Sequence, residues 1–200
     1  MIRLLNAICI VALLAGSGCA RTSPARFYTL QPSLAATDSA AEKRLVLAVG
    51  PMSVATHLDR PQIATRVGPN ELHFDNYHRW AEPLKDSIPT VLSDDLRAAL
   101  PGVRIVQYPG SETLTFDLRV VVQVIRFDAT LGGQATLRAG WMLMEPENDK
   151  NLAGGIFEKS VPVAKNDYAL LADAESRLLA LLAEDVAVAV RSVSPAHAHE

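Results

Sequence analysis

Cys19 closes a short apolar segment, Leu13-Leu14-Ala15-Gly16-Ser17-Gly18-Cys19-Ala20, and a thiol in that setting is a candidate for acylation. Arg3 supplies a charged start and Leu4 to Leu14 an apolar run. The run is shorter than the roughly 20 residues a bilayer-spanning helix needs, so it reads as a secretory signal. Two cleavages compete. A lipoprotein peptidase cutting before Cys19 prefers a long apolar side chain three positions earlier, where Gly16 stands, Leu14 lying two residues too early. Conventional cleavage after Ala20 finds its small residues in Gly18 and Ala20. The cysteine count favours the first. Of 2 cysteines, Cys9 leaves with the signal, and the exported chain keeps Cys19 with no partner for an intramolecular disulfide. The expected organisation is a signal over 1–18, a lipidated Cys19 with a short tether over 19–26, a single α/β domain over 27–193, and a disordered tail over 194–200.

A second group of residues suits recognition rather than catalysis. Arg60, Arg66, Arg79 and Trp80, with Tyr77 beside them, are of the types that dominate protein–protein hot spots. Guanidinium forks also fit planar carboxylates, and Asp59 and Glu82 lie close in sequence. Two readings stay open: the four residues bind a partner, or they pair internally and lock a loop onto the helix that follows.

Other chemistry finds little support. There is no Ser-His-Asp, Cys-His or zinc-ligand spacing and no glycine-rich phosphate loop. His57, His73 and His78 sit near turns and strands without a second ligand at helical spacing, which suits surface or hydrogen-bonded roles. His197 and His199 fall in the frayed tail, where no fixed geometry exists. Asp59, Asp75, Asp86, Asp94 and Asp95 lack an acid–base partner. No catalytic residue, metal or cofactor is expected.

The composition fits one domain with a substantial core: 200 residues, 49 % of them hydrophobic and 20 % charged. Cleavage before Cys19 removes only Arg3 among the charges, leaving 18 basic against 22 acidic residues. Such a chain has no electrostatic footprint for nucleic acid and none for anionic headgroups at large.

These residues need elements to hold them. Phe27 to Leu30 reads as a short strand, Gln31 to Arg44 as a loop, and Leu45 to Val49 as a buried strand. Ile63–Val67 and Leu72–Phe74 flank Gly68-Pro69-Asn70 as a hairpin. A helix is expected over 83–100, with Leu84, Ile88, Val91, Leu92, Leu96 and Leu100 inward and Lys85, Asp94, Asp95 and Arg97 in solvent. Pro89 predicts a kink there, or a start near Asp86 or Ser87. Val103–Tyr108 is a strand; Thr113–Phe127, Gln134–Met144 and Leu152–Val163 form an antiparallel meander. A last helix runs from about Tyr168 to Ser192, capped by Asn166 or Asp167, with Glu175, Glu184 and Arg191 outward. The order of elements describes an α/β sandwich with a mixed sheet and two main helices.

Leu58-Asp59-Arg60-Pro61-Gln62-Ile63 with Arg66, then Arg79-Trp80-Ala81-Glu82-Pro83-Leu84 opening a helix, and Phe27-Tyr28-Thr29-Leu30 soon after the cysteine, carry a family likeness. The sequence resembles the PqiC-like auxiliary lipoproteins of ABC-type transport systems over nearly the whole exported chain. The resemblance implies a three-layer α/β/α sandwich and a non-catalytic subunit in lipid traffic between membranes. The implied partner is an MCE-domain protein anchored in the inner membrane, and a homo-oligomeric ring is compatible with it. The implied place is the periplasmic side of the outer membrane, held by acyl chains on Cys19; Ala20, where an inner-membrane lipoprotein usually carries Asp, agrees. On this reading Arg60, Arg66, Arg79 and Trp80 belong to the dock. The competing reading is a free-standing periplasmic lipoprotein that binds a lipid or small ligand, which calls for a sizeable apolar cavity between sheet and helices. A third is a purely structural envelope lipoprotein.

Overall fold

Period-two alternation makes the middle of the chain a sheet and decides which side of it is covered. The computed structural model describes residues 24–35, 45–110 and 115–193. The signal 1–18, Cys19, tether residues 20–23, loop residues 36–44, the start of the strand expected from Thr113, and the tail with His197 and His199 lie outside the described residues. In chain order the elements are β1 (Arg26–Tyr28), β2 (Leu45–Val54), β3 (Gln62–Gly68), β4 (Glu71–Trp80), α1 (Leu84–Ala99), β5 (Val103–Gln107), β6 (Leu118–Ala129), β7 (Gln134–Glu145), β8 (Lys150–Pro162) and α2 (Tyr168–Val193). A turn of 3-10 helix, Thr56–Leu58, separates β2 from β3.

The eight described strands form one open, mixed sheet. β6 is its hub. One edge of β6 takes β2 in parallel along Leu118–Val124 and β3 in parallel at Ala129. β5 continues beyond β2, and β4 then β1 beyond β3. The other edge of β6 carries the expected antiparallel meander through β7 to β8.

Leu118, Val120, Val122 and Val124 of β6 are buried, and their partners Leu143, Trp141 and Ala139 on β7 share that face. Both helices pack there. α1 contributes Leu84, Ile88, Leu92 and Leu96, and α2 contributes Leu171, Leu178, Leu182 and Val186, to one continuous apolar cluster with the sheet. The helices also touch each other, Arg191 donating to the Ala99 carbonyl at 3.1 Å. The α/β class, the mixed sheet, the meander and the two helices stand as expected, but the described layers number two rather than three. Arg119, Gln123, Arg138 and Met142 alternate onto the opposite face, where no described helix packs.

α1 starts at Leu84 and runs through Pro89 without a break, so the later start is not what occurs. Two hydroxyls just after Pro89 bond back within the helix, Thr90 to the Asp86 carbonyl at 3.1 Å and Ser93 to the Pro89 carbonyl at 2.7 Å. α2 is capped by Asp167, whose Oδ1 accepts from the backbone of Ala169 at 2.6 Å and Leu170 at 3.3 Å.

Two acids expected in solvent are inside. Asp95 is fully buried, its Oδ1 accepting from the backbone N–H of Ser33 at 2.8 Å and of Leu34 at 2.9 Å. Glu175 is 1 % exposed. Burial raises the pKa of both, and the neighbouring Asp128 charge raises Glu175 further, to well above the ordinary carboxylate range.

Candidate functional site

The two stretches singled out by residue type meet in space. The 3-10 turn buries Leu58 as a peg and swings Asp59-Arg60-Pro61 over the end of β4. The Trp80 N–H donates to the Pro61 carbonyl at 2.7 Å, and the next N–H, of Ala81, donates to the Tyr28 carbonyl at 2.8 Å. β1, β4 and the 59–61 turn are thereby tied at one corner of the sheet. Between them lies a cavity of about 180 Å³ lined by Asp59, Arg60, Pro61, Trp80, Ala81, Glu82 and Pro83.

Its lining joins the apolar Pro61, Trp80, Ala81 and Pro83 to the charged, exposed Asp59, Arg60 and Glu82. The size suits one apolar side chain or proline ring presented by a partner. At the rim Arg60 lies over the Phe74 ring, 4.1 Å from its centroid. Lys85 approaches Asp59 at 3.8 Å, a loose, exposed pair. The slot holds no nucleophile or acid–base pair, and the described residues contain no cluster of three or more metal-ligating side chains.

The four expected residues divide. Arg60 is exposed at the rim. Trp80 is 4 % exposed and belongs to the core as much as to the slot. Arg79 sits on the opposite side of β4 from Trp80, its Nε donating to the Asn76 carbonyl at 2.7 Å. Arg66 lies apart from the slot and grips a buried carboxylate: Nε to Asp128 Oδ1 and Nη2 to Asp128 Oδ2, both 2.9 Å. Arg126 holds the same Asp128 from its own strand at 3.0 Å. Burial pushes the Asp128 pKa up, and the hydrogen bonds from Arg66 and Arg126 prevail and hold it below the ordinary range.

Sequence reasoning missed Asp128, which the bulge between Val124 and Arg126 turns to the face opposite the helices, and it missed the aromatic stack that fastens β1. There Tyr28 Oη and His78 Nδ1 share a hydrogen bond of 2.7 Å, and the His78 ring stacks on Tyr168 at 3.8 Å. His78 thus takes the hydrogen-bonded role expected of it. Burial, then the Asp75 charge, raises the Tyr168 phenol.

The space between sheet and helices is filled by side chains such as Leu47, Leu92, Leu118 and Leu178, each 0 % exposed. A larger cavity, about 610 Å³, is an open surface groove between residues 27–33 and the first turns of α2, with polar Gln31, Ser33, Asp173 and Arg177 among its walls. No described helix is long and apolar enough to cross a membrane.

The model of the family described as "ABC-type transport auxiliary lipoprotein component" matches residues 28–187. A crystal structure of an uncharacterized protein superposes with a TM-score of 0.69 at 18 % identity, covering 84 % of this chain and 99 % of the other. The protein XCC0632 from Xanthomonas campestris, of the family model DUF330, superposes with a TM-score of 0.67 at 21 % identity, covering 86 % and 99 %. At these identities the structures share the fold. No curated protein matches the chain.

Proposed function

The chain belongs to the ABC-type transport auxiliary lipoprotein family, and from that premise we propose that it is the outer-membrane dock of an intermembrane lipid transport system. It acts without catalysis. Acyl chains on Cys19 hold it to the periplasmic side of the outer membrane, more than meeting the two-signal requirement for stable attachment. Its partner is an MCE-domain protein rooted in the inner membrane. The single exported domain starts within a few residues of the anchor, so any span of the periplasm falls to that partner.

The observation that carries this reading is the meeting of Asp59-Arg60-Pro61 with Trp80-Ala81-Glu82-Pro83 in one slot, on a domain whose interior is packed. Apolar walls with a charged rim are the anatomy of a small hot spot. A carrier of its own cargo needs instead an enclosed apolar cavity. Arg60→Glu and Glu82→Arg, both at exposed rim positions, should abolish co-purification with the MCE-domain partner and leave the thermal midpoint unchanged. Retained co-purification in both variants removes the slot from the dock. The mass of the mature N-terminus tests the anchor, since an unmodified chain beginning at Arg21 rules it out.

A further inference from the structure

The edge of the sheet nearest the N-terminus carries a surface that the slot does not use. β1 pairs in parallel with β4, Arg26 opposite His78, Phe27 opposite Arg79 and Tyr28 opposite Trp80. Alternation turns Tyr28, His78 and Trp80 toward the helices and leaves Phe27, Arg79 and Tyr77 together on the open face. Phe27 is 63 % and Tyr77 42 % exposed, the larger figure among the highest for any large apolar side chain described. Arg26, exposed one residue earlier, pairs with His78 and so lies on the other side of β1 from Phe27.

We propose that this edge is the face that meets the bilayer, with Phe27 and Tyr77 at headgroup depth and Arg79 against lipid phosphates. The proposal rests on the anchoring of Cys19. Seven residues, 20–26, link that cysteine to Phe27, a reach of at most about 25 Å. Peeling β1 away cannot lengthen the leash cheaply. Behind it, Gln31 N–H donates to Ser176 Oγ at 3.1 Å and Ser33 N–H to Asp95 at 2.8 Å, so the strap is fastened to both helices. The exposed aromatics next to the exit of the leash are therefore held within that reach of the lipid. Aromatic rings beside arginines are the pairing that suits the interface, the rings in the headgroup layer and the guanidiniums at the phosphates. The guanidinium of Arg79 gives a local attraction that the overall negative charge of the chain hides.

The test uses the acylated chain, whose Cys19 thiol is consumed by the lipid, with one new thiol at a time: Phe27→Cys, Tyr77→Cys or Ile156→Cys. Ile156 is 59 % exposed on the same open face but on β8, at the other edge of the sheet. Five strand spacings, roughly 24 Å, separate it from β1. Each thiol carries an environment-sensitive dye, and the protein is reconstituted in phosphatidylethanolamine–phosphatidylglycerol vesicles containing spin-labelled lipid. The dye at 27 and 77 should shift to the blue and be quenched at least about twofold more by a shallow than by a deep spin label, as burial of roughly 5–10 Å requires. The dye at 156 should be unaffected. No quenching at 27, or equal quenching at 27 and 156, overturns the assignment. Mass measurement of the same preparations separates the two claims. An acylated chain that is not quenched at 27 refutes this inference alone, and a chain beginning at Arg21 refutes the anchor and this inference with it.

Discussion

Replacing Glu175 by glutamine should flatten the fall of stability with rising pH. Glu175 lies inside α2 at 1 % exposure, and its Oε2 has no hydrogen-bond partner among the described residues. Burial first, and the Asp128 charge second, lift its pKa well above the ordinary 4.5. The sign follows from proton counting. Between 4.5 and the raised value the folded protein keeps a proton that the unfolded chain has released, so stability falls as pH rises. One proton is worth about 1.4 kcal/mol per pH unit across that interval, and the loss stops once the folded carboxyl also ionises. Glutamine keeps the shape and never ionises. Any misfit of its amide is independent of pH, so it displaces the whole curve without changing the slope. Urea denaturation at half-unit steps from pH 4 to 8, followed by the fluorescence of the buried Trp80 and Trp141, gives both curves. The difference between variant and parent should climb by about 1.4 kcal/mol for each pH unit and then level off. Parallel curves would show that Glu175 finds water or a partner in solution, and the reasoning from burial fails.

Three further outcomes follow from the same contacts. Asp128→Asn should destabilise by about 3 kcal/mol, at the low end for a broken buried pair because both guanidiniums keep some water; the Asp128 contribution is present above its ordinary 3.8 and lost as pH falls through its lowered folded value, so the variant should also flatten the acid limb of the stability curve. Trp80→Ala should cost roughly 3–5 kcal/mol in urea denaturation, which makes it a poor probe of binding and explains the choice of Arg60 and Glu82. Asp167→Ala should lower stability by about 1 kcal/mol through loss of the α2 cap, with no effect on co-purification of the partner.

Much of the fold is legible in the chain because its signals are strongly periodic. The meander of β6 to β8 and the hydrophobic stripes of both helices appear where alternation and 3.6-residue spacing put them. The stretch from Asp75 to Trp80 was readable in principle. Tyr77 and Arg79 alternate with His78 and Trp80, and that alternation extends β4 to Trp80 and buries the tryptophan. The aromatic and arginine types drew attention to recognition instead, since a hot-spot tryptophan and a core tryptophan are the same residue. Asp95 and Glu175 were not legible. Both occupy helix positions beside the apolar stripe, and the strap that bonds Asp95 through Ser33 and Leu34 is remote in sequence. Arg66 and Asp128 lie on strands joined only through tertiary pairing at Thr65 and Ala129, so no local pattern could have brought them together.

The way the N-terminal strap is fastened bears on what the domain can do with its anchor. Residues 26–34 make contact with β4 through β1, with α2 through Ser176 and with α1 through Asp95. A pull transmitted from residue 26 is shared among a strand ladder and both helices, and cannot be relieved by unzipping one element. The slot of Pro61, Trp80 and Pro83 is tied to the same strand by the Ala81–Tyr28 hydrogen bond. Residue 26, the exposed aromatic edge and the slot are then parts of one corner of the described structure. The bonded route from the slot to residue 26 runs through the end of β4 and β1. That arrangement favours a stiff coupling between partner and membrane over a flexible one, and it predicts that loosening β1, by Tyr28→Phe with His78→Ala, should weaken the hold on a partner under tension before it weakens the fold.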